Sequence, residues 1–393
     1  MKRTALFLVL LLVGITPAVA APKSVAVKKL TIIATVNAEA MVVTGKTIVT
    51  VSNTEGLNSN ILLTGMDISG AQLWQKTIDS GVDEIALASA VDPLGNVWLA
   101  GASSVLTSVE SATASVQAEN PDGVVAEPVT KLRGDMNQLT LWKLSPLGDL
   151  LGTYTLSQSA SALINAISVN ASGVSIVGQL LDKPFLISAT ANGVYGKVIS
   201  IGTSKTQLSA VVRHSDGSVS VFGSSAETLA GKKLAGVRDG VLIRVSKTGA
   251  IASVVRSSAP KANRAWLASD STLALTGFVK SGKVVETAFT KFTMAFAPTW
   301  TMRVPSLGTS TVLRAGKTTF GAISSSSAVT GVIGWKPTSA SVLLLALDVK
   351  GVIAGAYGSS EITEPISLAY SKELGLIGLA KTSAQSVSLF KLP

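Results

Sequence analysis

The segment from Gln207 to Arg256 constrains the chain more than any other, because the rest of the sequence repeats it. It reads LSAVVRHSDGSVSVFGSS, then a polar insert, then DGVLIRVSKTGAIASVVR. Four short runs rich in Val, Ile and Leu are separated by Asp-Gly and Thr-Gly dipeptides. Runs of this kind form antiparallel strands rather than helices, which need a longer apolar periodicity and tolerate such turn signals poorly. One unit is therefore a four-stranded meander.

Two series of markers carry the unit along the chain. The second strand of each copy has a small residue in a fixed place: Ser52, then Gly101, Gly178, Gly223, Gly277, Gly321 and Gly378. Glycine inside a strand marks a bulge or a close approach of another backbone. The turn between third and fourth strands ends at Gly70, Gly148, Gly193, Gly249 and Gly351, while the fifth copy has Ala297-Pro298 there. Successive second-strand markers are 49, 77, 45, 54, 44 and 57 residues apart, the long step reflecting an insertion in the second copy. Seven copies at this period predict an all-β chain: a seven-bladed β-propeller of four-stranded antiparallel blades, filling 21–393 as a single domain. The seventh copy supplies only three strands, PISLAYS, LGLIGLA and VSLFKLP. The spare strand VKKLTIIATV, Val27 to Val36, is expected to pair with VSLFKL, complete the last blade and close the ring, covering otherwise open edges.

Hydrophobic residues make up 47% of the chain and charged residues 14%, which raises the question of a membrane span. The long apolar run is the first one. Met1 to Ala20 has a basic start at Lys2 and Arg3, an apolar centre from Ala5 to Val13 and the end Ala18-Val19-Ala20, the pattern of a cleaved secretory signal over 1–20. The run falls short of the roughly 20 residues a span needs, so no stable membrane insertion is expected after cleavage. The chain has no cysteine, which leaves stability to burial alone. Its formal net charge of +10 is dispersed, favouring solubility and weak attraction to anionic cell-envelope polymers. A nucleic-acid partner would require a focused basic patch with interleaved aromatics, and the sequence has none. A secreted or envelope-associated monomer is the expectation.

The repeat resembles that of secreted bacterial β-propeller repeat proteins and, more distantly, quinoprotein-like propellers. The resemblance is carried by DPLGNVWLAGAS, DGVLIRVSKTGAIASVV and GAQLW at Gly70 to Trp74, and it covers nearly all of the mature chain. Quinoprotein propellers place a tryptophan on the outer strand of most blades, packed on the neighbouring blade. Here only Trp74 and Trp300 hold that position, and no adjacent cysteine pair is present. What the resemblance implies is a scaffold rather than a pyrroloquinoline quinone site.

Insertions from about Ser103 to Asn137, Ser224 to Asp239 and Ser324 to Ser341 all join second to third strands, so they load one rim, where such scaffolds carry binding. Arg133-Gly134-Asp135 in the first reads as an ordinary turn. Glu39, Glu84 and Glu364 fall at or near the starts of first strands in copies that adjoin once the ring closes. Converging there, they would bind a hard cation such as calcium through oxygen ligands, or hydrogen-bond a sugar; no other cofactor is expected. Gln207 and Arg264 open blades across the mouth, and Asp239 closes the second insertion. Trp335 has two readings: a ring that stacks on a ligand, or an inward-packed residue of an extra strand in VTGVIGW. Trp98, Trp142 and Trp266 read as core.

Catalytic sets are scarce. His214 is the sole histidine, placed by the turn HSDG on the opposite rim as an exposed residue, and Ser215 and Asp216 are too close in sequence to complete a triad with it. One histidine without cysteine does not make a transition-metal site. The expectation is a non-enzymatic propeller that binds an envelope polymer or protein through the insertion-bearing rim. The alternative is a polysaccharide hydrolase or lyase at the channel mouth, drawing on Asp182, Asp239 and the three glutamates.

Overall fold

A computed structural model of the chain describes residues 24–55, 58–105 and 132–393. The predicted signal segment and most of the first insertion lie outside the described residues. The described chain folds into six four-stranded antiparallel sheets and one sheet of six strands. The unit at the centre of the sequence reading is one of the former, with strands Thr206–Arg213, Val219–Ser225, Asp239–Val245 and Ile251–Ser257.

The innermost strands are Ala40–Thr44, Glu84–Val91, Ala162–Asn170, Thr206–Arg213, Asn263–Ser269, Ser310–Ala315 and Ile362–Ser371. Each packs beside the next, and the last packs beside the first. Apolar clusters fill the interfaces between consecutive sheets, for example Ile61, Leu63 and Trp142 between the first and second, and Ile48, Leu379 and Leu389 between the last and the first. Burial between sheets, face on face, is what the alternating Val, Ile and Leu of each run supply. The architecture is that of a β-propeller with four-stranded antiparallel blades.

The second-strand glycines have a structural cause. A Cβ on Gly101, Gly178, Gly223 or Gly277 would collide with the carbonyl of Ile85, Leu163, Gln207 or Ala265. Each of these carbonyls precedes a bulge in the paired inner strand, at Ala86/Ala88, Ile164/Ala166, Leu208/Ala210 and Trp266/Ala268. Gly321 and Gly378 are small for another reason, because the rings of Phe289 and Phe390 lie against them. The turn markers are likewise explained. Asp67, Asp348 and their Ser or Thr counterparts accept backbone N–H bonds across the turn, and the glycine that follows takes a positive φ, as at Gly70 (86°).

The N-terminal segment departs from the expected single strand. It divides at Leu30 into β1 (Val25–Lys29) and β2 (Thr31–Val36). β2 pairs antiparallel with Val387–Lys391, as Val27 to Val36 was expected to do, but with only its second half. β1 runs parallel to Ile353–Ser359, the outer strand of the sixth sheet, and on its other side parallel to the short strand Val332–Ile333 of the third insertion. This gives the sixth sheet its six strands. The division follows from side-chain placement: Leu30 donates its N–H to Gly358 and is buried among Val342, Leu344, Ile362 and Phe390, between the sixth sheet and the last. Val25 and Val27 cover the apolar cluster around Trp335, while Lys28 and Lys29 remain exposed along the edge.

Candidate functional site

The central channel is lined by all seven inner strands and has a volume of about 580 Å³. Its wall is built of small apolar and hydroxyl residues such as Ala88, Ser209, Ala268 and Ser367, and the one charged side chain lining it is Glu39. The three glutamates do not meet. Glu39 accepts a bond from Asn53, whose amide also exchanges two bonds with the backbone of Ala86 at the bulge of the second sheet. Glu84 is buried away from the channel and accepts from the amide and hydroxyl of Ser80, at 3.1 and 2.9 Å. Glu364 pairs with Lys381 at 3.0 Å. Among the described residues no group of three or more Asp, Glu or His is placed to hold a metal ion. The three glutamates therefore form no shared ligand set: Glu39 and Glu364 turn to partners on the first and last sheets, and Glu84 to the loop that precedes its strand.

Asp239 is a structural residue rather than a ligand. It is fully buried, forms an ion pair with Arg256 at 2.8 Å, and accepts from the amides of Ala235 and Gly236 in the insertion. Burial works to raise its pKa, but the bonds from Arg256 and these amides hold it below the usual carboxylate value. Arg256 also donates to the carbonyls of Ser225, Glu227 and Lys232, so this pair fastens the insertion to the rim. Trp335 follows the inward reading: it is buried on Gly358, beneath β1. Gly134 and Asp135 form a turn, as read, and Arg133 pairs with both Asp83 and Asp135.

Gln207 and Arg264 do share a surface. Gln207 is exposed and stands across the ladder from Ser224, Ser224 accepts a bond from Arg238, and the carbonyl of Arg238 accepts the N–H of Arg264. The Arg264 guanidinium lies 4.5 Å above the Trp266 ring. Burial, aided by nearby Arg303, lowers its pKa to about 10, so it stays charged at neutral pH. Arg238 and Arg264 form no ion pair among the described residues, which leaves a cationic step on the rim of the fourth and fifth sheets.

The opposite rim holds a feature that the sequence reading missed. A cavity of about 760 Å³ opens between the third and fourth sheets, walled by Leu186, Ile199, Arg213, Val219 and the turn 246–250. At three other interfaces an aromatic side chain from an outer strand covers the turn glycine of the next sheet: Trp74 lies on Gly148, Tyr154 on Gly193 and Trp300 on Gly351, whereas Gly70 meets Ile33 and Ala34. In the third sheet the outer strand shrinks to Ile199–Ser200, and Ile199 alone approaches Gly249. Just before this strand, Tyr195 shares its hydroxyl proton between the carbonyls of Leu139 and Tyr154, at 3.2 and 3.1 Å, which ties this segment to the second sheet. A signal was available. Trp74 and Trp300 stand seven residues, and Tyr154 nine, after Asp67, Thr293 and Ser145, the first residues of their turns; from Thr190 the same counts reach Lys197 and Ile199, neither of them aromatic. His214 sits nearby in its predicted turn, half-buried rather than exposed, with Nε2 2.7 Å from the Ser220 hydroxyl. Burial and then Arg244 depress its pKa, outweighing Asp216.

Ring, channel and rims together define a β-propeller. No family model matches the chain, and no curated protein matches it. Solved structures do. A 6-phosphogluconolactonase-type protein from Bacteroides uniformis aligns at 9% identity with a TM-score of 0.51, covering 88% of this chain and 95% of that one. The WD40 domain of Toxoplasma gondii coronin aligns at 11% identity and TM-score 0.51, covering 95% and 89%. At such identities the likeness is one of fold.

Proposed function

We propose that the protein is a secreted, non-enzymatic binding scaffold, a seven-bladed propeller in which the six-stranded sheet counts as a blade and β2 closes the ring. It engages an anionic envelope polymer, or an envelope protein, through the insertion-bearing rim. The observation that carries this reading is the connected step Gln207, Ser224, Arg238 and Arg264, whose two arginines have no carboxylate partner among the described residues. Two insertions flank it on a fixed base: one is fastened by Asp239 and Arg256, the other contributes Val332–Ile333 to the β1 edge. A rim held in this way loses little conformational freedom on binding. Four of the five carboxylates considered for hydrolysis favour binding over catalysis, since Glu39, Glu84, Glu364 and Asp239 are each committed to a structural partner, and the fifth, Asp182, is exposed in a turn.

The test is retention of the mature chain on immobilised anionic glycan. The double substitution Arg238→Ala/Arg264→Ala should weaken binding about tenfold or more and reduce its salt dependence. Equal retention of variant and parent would refute the rim assignment.

A further inference from the structure

We propose that the cavity between the third and fourth sheets is a binding site for a small phosphorylated ligand, a sugar phosphate or a molecule of similar size. It lies on the rim opposite the insertions and is independent of the polymer reading above. Three cationic side chains, Lys197, Arg213 and Lys247, line it, and none of its lining residues is acidic. Arg213 is held rigidly from behind: its Nε, Nη1 and Nη2 donate to the Ser172 hydroxyl, the Ser175 hydroxyl and the Ser172 carbonyl at 2.9, 3.1 and 3.1 Å. A guanidinium has five N–H donors, so two remain, and among the described residues no carboxylate pairs with Arg213 to quench its charge. The two lysines rise from opposite walls, one on the displaced outer segment of the third sheet and one on the turn 246–249 of the fourth. Three cationic residues around one space favour a dianion over a monoanion.

The rest of the lining matches the body of such a ligand. Ser188, Ser200, Ser246 and Thr248 supply hydroxyls, while Leu186, Val198, Ile199 and Val219 supply apolar wall. A volume of about 760 Å³ falls within the range of sites that enclose small molecules. The cavity is also built rather than incidental. Tyr195 ties the outer segment to the second sheet, and Lys197 stands at the count from the turn that Trp74 and Trp300 hold in two other sheets.

Glucose 1-phosphate is the probe, with glucose as the neutral control, each titrated at constant ionic strength while the melting temperature is followed. Tm should rise with glucose 1-phosphate concentration, as binding to the folded state requires, and stay level with glucose. Lys247→Gln should weaken the apparent affinity about tenfold. Lys197→Trp should fold, place its ring toward Gly249 as Trp300 does on Gly351, and abolish the ligand-dependent shift. Substitution at Arg238 and Arg264 should leave this response intact, separating the site from the rim. The proposal is overturned if glucose 1-phosphate gives no shift, if glucose gives the same shift, or if Lys197→Trp responds as the parent does.

Discussion

Replacing Leu30 with Ala tests the N-terminal clasp at the point where one side chain holds both halves. Leu30 is 1% exposed and sits between the sixth sheet and the last. The substitution removes three carbons, about 2.4 kcal/mol of transfer free energy at roughly 0.8 kcal/mol per group. The residual void raises the cost to about 3 kcal/mol, since Val342, Leu344 and Phe390 belong to packed sheets that collapse only in part. With an unfolding entropy near 2.1 cal/mol/K per residue, a chain of this size changes by roughly 0.7 kcal/mol per degree, so Tm should fall by about 4 °C. Leu73→Ala is the control. Leu73 is 55% exposed on an outer strand, and its loss should cost less than about 0.5 kcal/mol and under about 1 °C. The assay is thermal unfolding joined to amide exchange. Exchange should accelerate in Val387–Lys391, which pairs with β2, well before it does in Ala162–Asn170 on the far side of the ring. Equal small shifts for the two variants, or a uniform rise in exchange across both strands, would refute the clasp.

Two further outcomes follow from buried groups. Asp239→Asn leaves Arg256 buried without its counter-charge and should cost about 3–5 kcal/mol in urea unfolding, whereas Asp239→Asn/Arg256→Met should cost less than the single change; an unaltered midpoint for Asp239→Asn would sink the fastening role. His214 has a folded pKa below the ordinary imidazole value of about 6.5, so the unfolded chain binds the extra proton first. Its contribution to stability is therefore complete above pH 6.5 and is lost as the pH falls through that value toward the folded one. Between pH 7.5 and 5.5 the parent should lose more Tm than His214→Gln does, and parallel curves would contradict the assignment.

Much of the fold was legible because it rests on local rules. Strand ends at Ser103, Asp239 and Ser341 coincide with the read limits of the insertions, since turn dipeptides and polar tracts end strands wherever they occur. The second-strand glycines were rightly taken as points of close approach, and the inner-strand bulges behind four of them supply the reason. The candidate site was less legible. Glu39, Glu84 and Glu364 all fall at or near the starts of their strands, but that does not fix where a side chain turns; Ser80 and Lys381 took two of the three. The N-terminal segment looked like one strand because no turn dipeptide interrupts it, and the parallel pairing of β1 depends on an outer strand more than 300 residues away in sequence.

The sequence by itself determined the repeat, the strand boundaries, the cysteine-free apolar core and the rim that carries the insertions, all of which follow from periodicity and turn chemistry within a few residues. Tertiary structure alone decided which charges are spent on the fold and which remain available. Asp239 was withdrawn into an ion pair, Arg213 was left with open donors, and a cavity appeared where one outer segment is tied to the neighbouring sheet. These outcomes depend on distances between sheets, and contacts of that range leave little trace in the order of residues along a strand.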